Sequence, residues 1–286
     1  MNMRRLTAAA TALTLLVSAA CGGGSAGGTS AGGPSSTSSP KLELVRSASK
    51  TRDAGSARFA MRMSVSANSV KVMTMTGTGV TGFTPPEAQI SIRFTADKAL
   101  GAVNGMSMDE RVVDGVVYIQ SPLFAGLTGS GKQWVKVDLG ALGAGGPTDL
   151  GTGQSDPTKM LDYLRGLSSG VTRVGSDDVR GVQATHYHAE TDMNKVLSSL
   201  PQSQRRAFQA MMKSFGSTSI PIDIWVDGDG RVVRIVTATT IEVNGQSVQS
   251  DVQLDYFDFG VPVHVAAPPA GQVADLGGLG NTLGAS

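Results

Sequence analysis

The chain has 286 residues, with 24 Lys and Arg against 23 Asp and Glu, 37 glycines and one cysteine. This near-neutral balance offers no basic surface for nucleic acid, so we expect no nucleic-acid partner. One cysteine excludes a disulfide framework and a Cys-based zinc site, which leaves modification of that residue to consider. A hydrophobic content of 40% is sufficient for one sizeable core.

The N-terminus has the three-part layout of an export signal. Arg4 and Arg5 form a basic start, residues 6–17 form an apolar stretch too short to span a bilayer, and small residues lead to Cys21. This layout resembles a bacterial lipoprotein signal, with Ser18 at the position that usually holds Leu, and an ordinary secretory signal is the alternative. The resemblance implies that Cys21 carries acyl chains such as palmitate. We therefore predict a protein held by lipid on the extracytoplasmic face of the cell membrane.

Composition divides the chain further. Residues 22–40 consist almost wholly of Gly, Ser, Thr, Ala and Pro, which cannot bury enough apolar area to order a segment. The end of the chain is similarly rich in Gly, Ala and Pro, together with Leu. The predicted organisation is therefore a signal peptide 1–20, a lipidated cysteine with flexible linker 21–40, a folded domain 41–265 and a flexible tail 266–286. Signal cleavage removes two arginines and changes the formal net charge from +1 to −1.

Alternating apolar and polar residues dominate the folded domain and predict a sheet. The predicted strands are 57–65, 70–80, 88–96, 103–113, 116–120, 133–139, 171–174, 179–190, 220–226, 231–243 and 246–257. Helices are predicted at residues 42–51, at 156–170 and, as one helix or a broken pair, at 192–215. Successive strands read as hairpin neighbours, some with Asp-Gly or Asn-Gly turns. The predicted class is α+β, a large curved antiparallel sheet with helices packed on its concave face.

Motifs that would indicate catalysis or metal binding lie in the wrong context. Ser168 lies in a Gly-x-Ser-x-Gly pattern, but a helix enters it and a strand leaves it, the reverse of a nucleophile elbow. His186 and His188 share one face of a predicted strand at a spacing that suits zinc, without a third ligand in view. The acidic run at residues 227–230 reads as a hairpin turn instead of a calcium loop. We predict no catalytic residue, no metal and no cofactor, and thus not an enzyme.

Methionine is the informative residue. Three predicted strands carry a Met-x-Met pair, and a spacing of two places both members on the same face. With the neighbouring apolar positions, the candidates for lining a ligand cavity are Phe59, Met61, Met63, Met73, Met75, Ile90, Ile92, Phe94, Met106 and Met108. Flexible thioethers suit a surface that accepts apolar ligands of variable shape, and they equally suit a filled core.

The domain also resembles a known family. The resemblance rests on residues 117–120, 132–137, 156–157, 181–182, 185–187 and 222–227, together with the signal. These segments resemble the actinobacterial LppX/LprG lipoproteins, relatives in fold of the periplasmic carrier LolA, over about residues 42–265. The resemblance implies a half-barrel sheet around helices, with a hydrophobic cavity that carries acyl chains of lipids or lipoglycans across the envelope. It implies a monomer and a role in lipid transport. The alternative is a non-catalytic sensor or accessory lipoprotein that binds a protein partner.

Overall fold

One sheet of twelve strands dominates the computed structural model of the chain. The residues that the structure describes are 39–97, 101, 103–122, 132–138, 164, 167, 170–199, 202, 205, 208–209, 212, 218–243 and 246–275.

The strands are β1 Ser56–Ala67, β2 Val70–Phe83, β3 Pro86–Ala96, β4 Ser107–Val113, β5 Val116–Gln120, β6 Trp134–Asp138, β7 Thr172–Val179, β8 Val182–Asp192, β9 Ser219–Asp227, β10 Val232–Val243, β11 Gln246–Phe257 and β12 Val273–Asp275. The α-helices that lie wholly within the described residues are α1 Pro40–Asp53 and α2 Met193–Ser199. Across the sheet the strand order is β12-β6-β5-β4-β3-β2-β1-β11-β10-β9-β8-β7.

Antiparallel pairing joins almost every neighbour in this sheet. β1 to β6 form one meander and β7 to β11 form another, each from strands that follow one another along the chain. A ten-pair antiparallel register between β1 and β11, from Arg58 with Phe257 to Ala67 with Val248, joins the two meanders. We call this pairing the β1–β11 seam. The sheet is open, and the predicted α+β class with a large antiparallel sheet is confirmed.

The two faces of the sheet differ because successive side chains of a strand point to opposite sides. We call the face that carries Phe59, Ile224 and Leu254 the inner face, since these side chains belong to one continuous buried core with Leu44 of α1. The outer face carries a small second cluster. That cluster consists of Val179, Ala184 and Val233, with Trp225 and Phe259 packed against it.

Helix α1 lies against the inner face near β8 and β10. It begins where the Ser39 hydroxyl accepts the N–H of Leu42 at 3.4 Å, with Pro at the first turn. The buried positions Leu44, Ala48 and Thr51 recur every three to four residues and form one stripe. Thr51 fixes the helix to the sheet, because its Oγ1 accepts the backbone N–H of Val232 at 2.8 Å. The predicted helix 42–51 is thereby confirmed and extended at both ends.

The hairpin of β7 and β8 differs from the prediction. β7 continues to Val179, and the turn is made by Arg180 and Gly181, whose φ values are 55° and 84°. The sequence predicts separate strands at 171–174 and 179–190, with a break at residues 175–178. β7 is the edge of the sheet and is exposed along residues 172–178, so its pairing with β8 needs no apolar face.

The start of the predicted flexible tail is ordered, which corrects that prediction for residues 266–275. β12 pairs in parallel with β6, and the N–H of Gln133 donates to the carbonyl of Gln272 at 3.0 Å. Arg111 Nη1 donates to the carbonyl of Ala266 at 3.0 Å. Composition missed this because a sheet edge binds a passing backbone through N–H and C=O groups, whatever its side chains. Residues 276–286 lie outside the described part.

Two predicted helices lie largely outside the described residues. Of the predicted helix 156–170, Leu164 and Leu167 are described and are completely buried in the inner core. Leu167 forms an isolated antiparallel bridge with Thr191, so the chain is paired as a strand there, where a helix was predicted. Of the predicted 192–215 segment, α2 is described, and its first turn is capped by Asp192, whose Oδ1 accepts the N–H of Asn194 at 2.9 Å.

Candidate functional site

The strands that carry methionine are in register on the inner face. Met61 of β1 lies opposite Gly77 of β2, and Met63 lies opposite Met75. Met75 in turn lies opposite Phe94 of β3. Directly paired residues in antiparallel strands share a face, so these side chains form one continuous surface. We call it the methionine face, and it comprises Phe59, Met61, Met63, Met73, Met75, Ile90, Ile92, Phe94, Met106 and Met108. Met106 precedes β4 and continues its pairing with β3, because its carbonyl accepts the N–H of Phe94 at 2.9 Å.

Burial changes along the methionine face. Four of its side chains are core residues, with exposed fractions of 1% for Phe59, 5% for Met61, 0% for Ile90 and 2% for Ile92. The other six are half-buried. Three of those six, Met75, Phe94 and Met108, pack against the edge of the inner core. The face therefore combines a filled end with an end whose flexible side chains remain accessible to solvent.

Two glycines of β2 allow close packing at the filled end. A Cβ at Gly79 would lie 2.8 Å from Cζ of Phe59 and would collide with the carbonyl oxygen of Gln89. A Cβ at Gly77 would lie 3.4 Å from Cε of Met61. The aromatic ring of Phe59 therefore rests directly on the backbone of β2, which only a residue without a side chain permits.

A buried carboxyl group borders the methionine face. Glu110 of β4 lies opposite Ile90 and is 1% exposed. It follows Met106 and Met108 at the same spacing of two, and this alternation was the sequence signal that would have placed it on the inner face. The predicted cavity lining does not include Glu110, because acidic residues are mostly exposed and are rarely expected on a buried face.

The region under α1 is sealed by polar contacts. Tyr187 of β8 is 1% exposed and hydrogen-bonds to Glu43 of α1. Burial of the phenol, followed by that hydrogen bond, raises the pKa of Tyr187 well above its usual range. Lys50 Nζ donates to the carbonyl of Asp229 at 3.0 Å and Lys41 Nζ to that of Leu167 at 2.6 Å. These contacts hold α1 in place over this half of the inner face.

The two histidines are together on the outer face, with acidic partners that the sequence did not reveal. Asp223 Oδ1 lies 2.9 Å from His186 Nε2 and 3.0 Å from His188 Nδ1. His186 also stacks on Trp225, with ring centroids 4.2 Å apart. Trp225 Nε1 donates to Asp177 Oδ2 at 2.8 Å. Within the described residues, no group of three His, Cys, Asp or Glu side chains is arranged to hold a metal ion.

The acidic turn between β9 and β10 is a hairpin, as predicted. Arg231 Nε donates to Asp227 Oδ2 at 2.9 Å, and its Nη2 donates to Asp229 Oδ2 at 2.6 Å. The carboxylates that a calcium ion would need are thus bound to a guanidinium. Nearby, Arg234 donates two hydrogen bonds to the buried Asp255. These hydrogen bonds raise the pKa of Arg234 above its usual value.

Other predicted sites stand apart from these surfaces. Cys21 and Ser168 lie outside the described residues. His264 is exposed in the segment after β11. In the part of the chain that the structure covers, no helix combines the length and the apolar character needed to cross a membrane.

No family model matches the chain. An uncharacterised 31.2 kDa protein from the rplA-rplJ intergenic region of Streptomyces griseus is 33% identical over 156 residues, covering 51% of this chain and 49% of the relative. The chain thus spans about half the length of this curated relative.

Among solved structures, the lipoprotein LppX of Mycobacterium tuberculosis is 17% identical, with 79% of this chain and 99% of that chain covered and a TM-score of 0.42. LprF of Mycobacterium bovis is 14% identical, with 81% and 97% covered and a TM-score of 0.44. The likeness concerns the fold.

Proposed function

We propose that the protein is a non-catalytic, lipid-anchored lipoprotein of the extracytoplasmic face that binds acyl chains on its methionine face. The observation that carries this proposal is the register of β1 to β4, which gathers six half-buried apolar side chains beside a filled core. The resemblance of the sequence to the LppX/LprG lipoproteins supports the same role. The proposed cargo is the acyl part of a lipid or lipoglycan, and the proposed process is its transfer within the envelope.

Acyl binding is physically reasonable on this surface. Each methylene removed from water contributes about 0.8 kcal/mol, so about ten buried methylenes contribute about 8 kcal/mol before the cost of association. A net value somewhat below this corresponds to micromolar binding or weaker, which is suited to a carrier that must release its cargo. Thioethers adopt several rotamers at little cost, so Met63 and Met75 can adjust to chains of different length and unsaturation.

A lipid-binding measurement tests the proposal. We would purify the Cys21→Ser chain, examine it by native mass spectrometry for co-purified lipid, and titrate it with a fluorescent fatty acid. Met75→Gln should weaken fatty-acid binding at least fivefold, because an amide must then be desolvated at the face. Thr76→Gln is the matched control, since Thr76 is the next residue of β2 and is exposed on the outer face. Absence of both lipid and fatty-acid binding would refute the proposal, as would equal loss in the two variants.

The anchor is a separate part of the proposal. Residues 1–20 are proposed to direct export, Cys21 to carry the acyl chains and residues 22–40 to act as a flexible linker to the folded domain. The start of α1 at Pro40, after the Ser39 cap, agrees with a linker that ends there. Fractionation of cells that express the natural chain and Cys21→Ala tests it. The natural chain should sediment with membranes and Cys21→Ala should not, whereas co-sedimentation of both would contradict a lipid anchor at this residue.

A further inference from the structure

An open cavity of about 500 Å³ lies away from the methionine face, between the tip of the β7–β8 hairpin, the turn after β9 and the end of β11. Its lining residues are Val179, Arg180, Val182, Asp227, Arg231, Val233, Tyr256, Phe257, Asp258 and Phe259. This volume lies within the range of small-molecule sites.

Arg180 is the charged group of this cavity that is positioned to meet a ligand. It lies at the turn of the hairpin, and its guanidinium carbon is 4.0 Å from the centroid of the Phe257 ring. Stacking on the ring limits the motion of the guanidinium and leaves its N–H edge available as a fork of donors. Among the described residues, no carboxylate forms an ion pair with Arg180.

The other charges around the cavity already have partners. Arg231 is hydrogen-bonded to Asp227 at 2.9 Å and to Asp229 at 2.6 Å. Asp258 lies 3.6 Å from the guanidinium of Arg58. A ligand anion would therefore be bound by Arg180, with a further carboxylate nearby, since Asp178 Oδ1 accepts the N–H of Gly181 at 2.9 Å. Arg231 and Arg58 offset only part of the negative charge of these four carboxylates. The remainder disfavours a second negative charge on the ligand, so a monoanion suits the site better than a dianionic phosphate.

The remaining wall of the cavity is apolar. Val179 and Val233 belong to the buried cluster of the outer face, and Phe259 packs against it. Val182 also lines the cavity and is 43% exposed. An apolar or aromatic group placed against these side chains would be removed from water while its carboxylate meets the guanidinium.

We propose that this cavity binds a small monocarboxylate with a compact apolar or aromatic group, and that Arg180 binds the carboxylate. The site is distinct from the half-buried end of the methionine face, because none of the side chains of that end lines it. Its ligand is a small molecule instead of an extended chain, since the volume is about 500 Å³.

Titration of the Cys21→Ser chain with 2-naphthoate, followed by amide chemical shifts in NMR, tests the proposal. We expect shifts concentrated at Gly181, Val182 and the residues after Phe257. Arg180→Gln should weaken 2-naphthoate binding at least tenfold and leave the binding of neutral 2-naphthamide within twofold. Arg173→Gln is the matched control, since Arg173 is an exposed arginine of the same hairpin that does not line the cavity. Its affinity for 2-naphthoate should equal that of the parent chain.

A second pair of variants tests the location without altering charge. Val182→Phe fills part of the cavity and should weaken both naphthoate and naphthamide, whereas Val174→Phe, at another exposed valine of the hairpin, should change neither. The proposal is overturned if naphthoate shifts no amide around the cavity, or if Arg180→Gln and Arg173→Gln bind it equally. Tighter binding of 1-naphthyl phosphate than of 2-naphthoate would overturn the assignment of a monocarboxylate.

Discussion

The inner face of the sheet has two halves that are packed in different ways. Beneath α1, Leu44 and Ile224 are completely buried, and Tyr187 and Thr51 hydrogen-bond across the interface. On β1 to β4 the methionine face has a buried end and a half-buried end. The half under α1 uses branched and aromatic side chains with fixed partners, whereas five of the six half-buried side chains of the methionine face are unbranched thioethers. The difference indicates that stability is concentrated under α1 and that adaptability is concentrated on the methionine face.

The largest expected effect is at the helix-covered half. Leu44→Ala removes a fully buried side chain from the inner core and should lower the free energy of unfolding by about 3 kcal/mol. Leu42→Ala is the control, because Leu42 lies on the same helix and is 43% exposed. Urea unfolding measures both. A cost below about 1 kcal/mol for Leu44→Ala would mean that α1 contributes little to the stability of the sheet.

A smaller effect is expected when α1 loses its link to β10. Thr51→Val keeps the shape of the side chain but leaves the buried N–H of Val232 without its acceptor, at a cost of about 2 kcal/mol. Thr51→Ser retains the hydroxyl and should recover most of that loss. If the serine and valine variants unfold at the same urea concentration, the hydrogen bond is not the source of the effect.

The third expected effect depends on pH. The pKa of Tyr187 is raised in the folded state, so the phenol retains its proton in the fold at a pH where the unfolded chain releases it. The raised pKa of Tyr187 therefore contributes fully to the free energy of unfolding below the ordinary tyrosine pKa of about 10. The free energy of unfolding falls as the pH rises above that value. Unfolding by urea from about pH 8 to about pH 11 should show this decline. The decline should be smaller in Tyr187→Phe. At neutral pH this substitution should lower the free energy of unfolding by about 1 kcal/mol, because a buried hydrogen bond is lost. Equal declines in the two chains would exclude Tyr187 as the group responsible.

The smallest expected effect on stability is at the methionine face. Met75→Ala should cost about 1 kcal/mol, since the side chain is half-buried, and Thr76→Ala on the opposite face should cost about 0 kcal/mol. Urea unfolding measures both. A cost for Met75→Ala as large as that of Leu44→Ala would show that the two halves are packed alike, and that the methionines are an ordinary filled core.

Local patterns in the sequence were sufficient for most of the sheet. The turn between β4 and β5 is an example, because Asp114 and Gly115 both have positive φ values, 51° and 75°, as an Asp-Gly hairpin requires. Alternation likewise identified the methionine strands, and the hairpin connections of β1 to β4 brought them into register. Each of these features depends on residues that are close together in the chain.

Features that depend on distant residues were not predicted. Asp223 meets His186 and His188 through the pairing of β8 with β9, which are separated by α2 and further chain instead of a turn. β12 forms because β6 offers an unpaired edge to its backbone, and no pattern of side chains in the sequence predicts where such an edge is. Burial along the methionine face also depends on where the core ends. Period two identifies the face of a strand, but it carries no information on how far along the strand the core extends.

The β1–β11 seam has a consequence for how the chain folds. Each meander consists of contacts between residues near in sequence, whereas the seam joins strands from opposite ends of the folded domain. Closing that long loop costs more conformational entropy than forming any single hairpin, so the seam should form late, after the hairpins on either side. The two meanders would then behave as folding units whose union completes the inner core. A chain interrupted between β6 and β7 would keep every hairpin intact, and reassembly of its two pieces would depend on the seam, on α1 and on the pairing of β12 with β6.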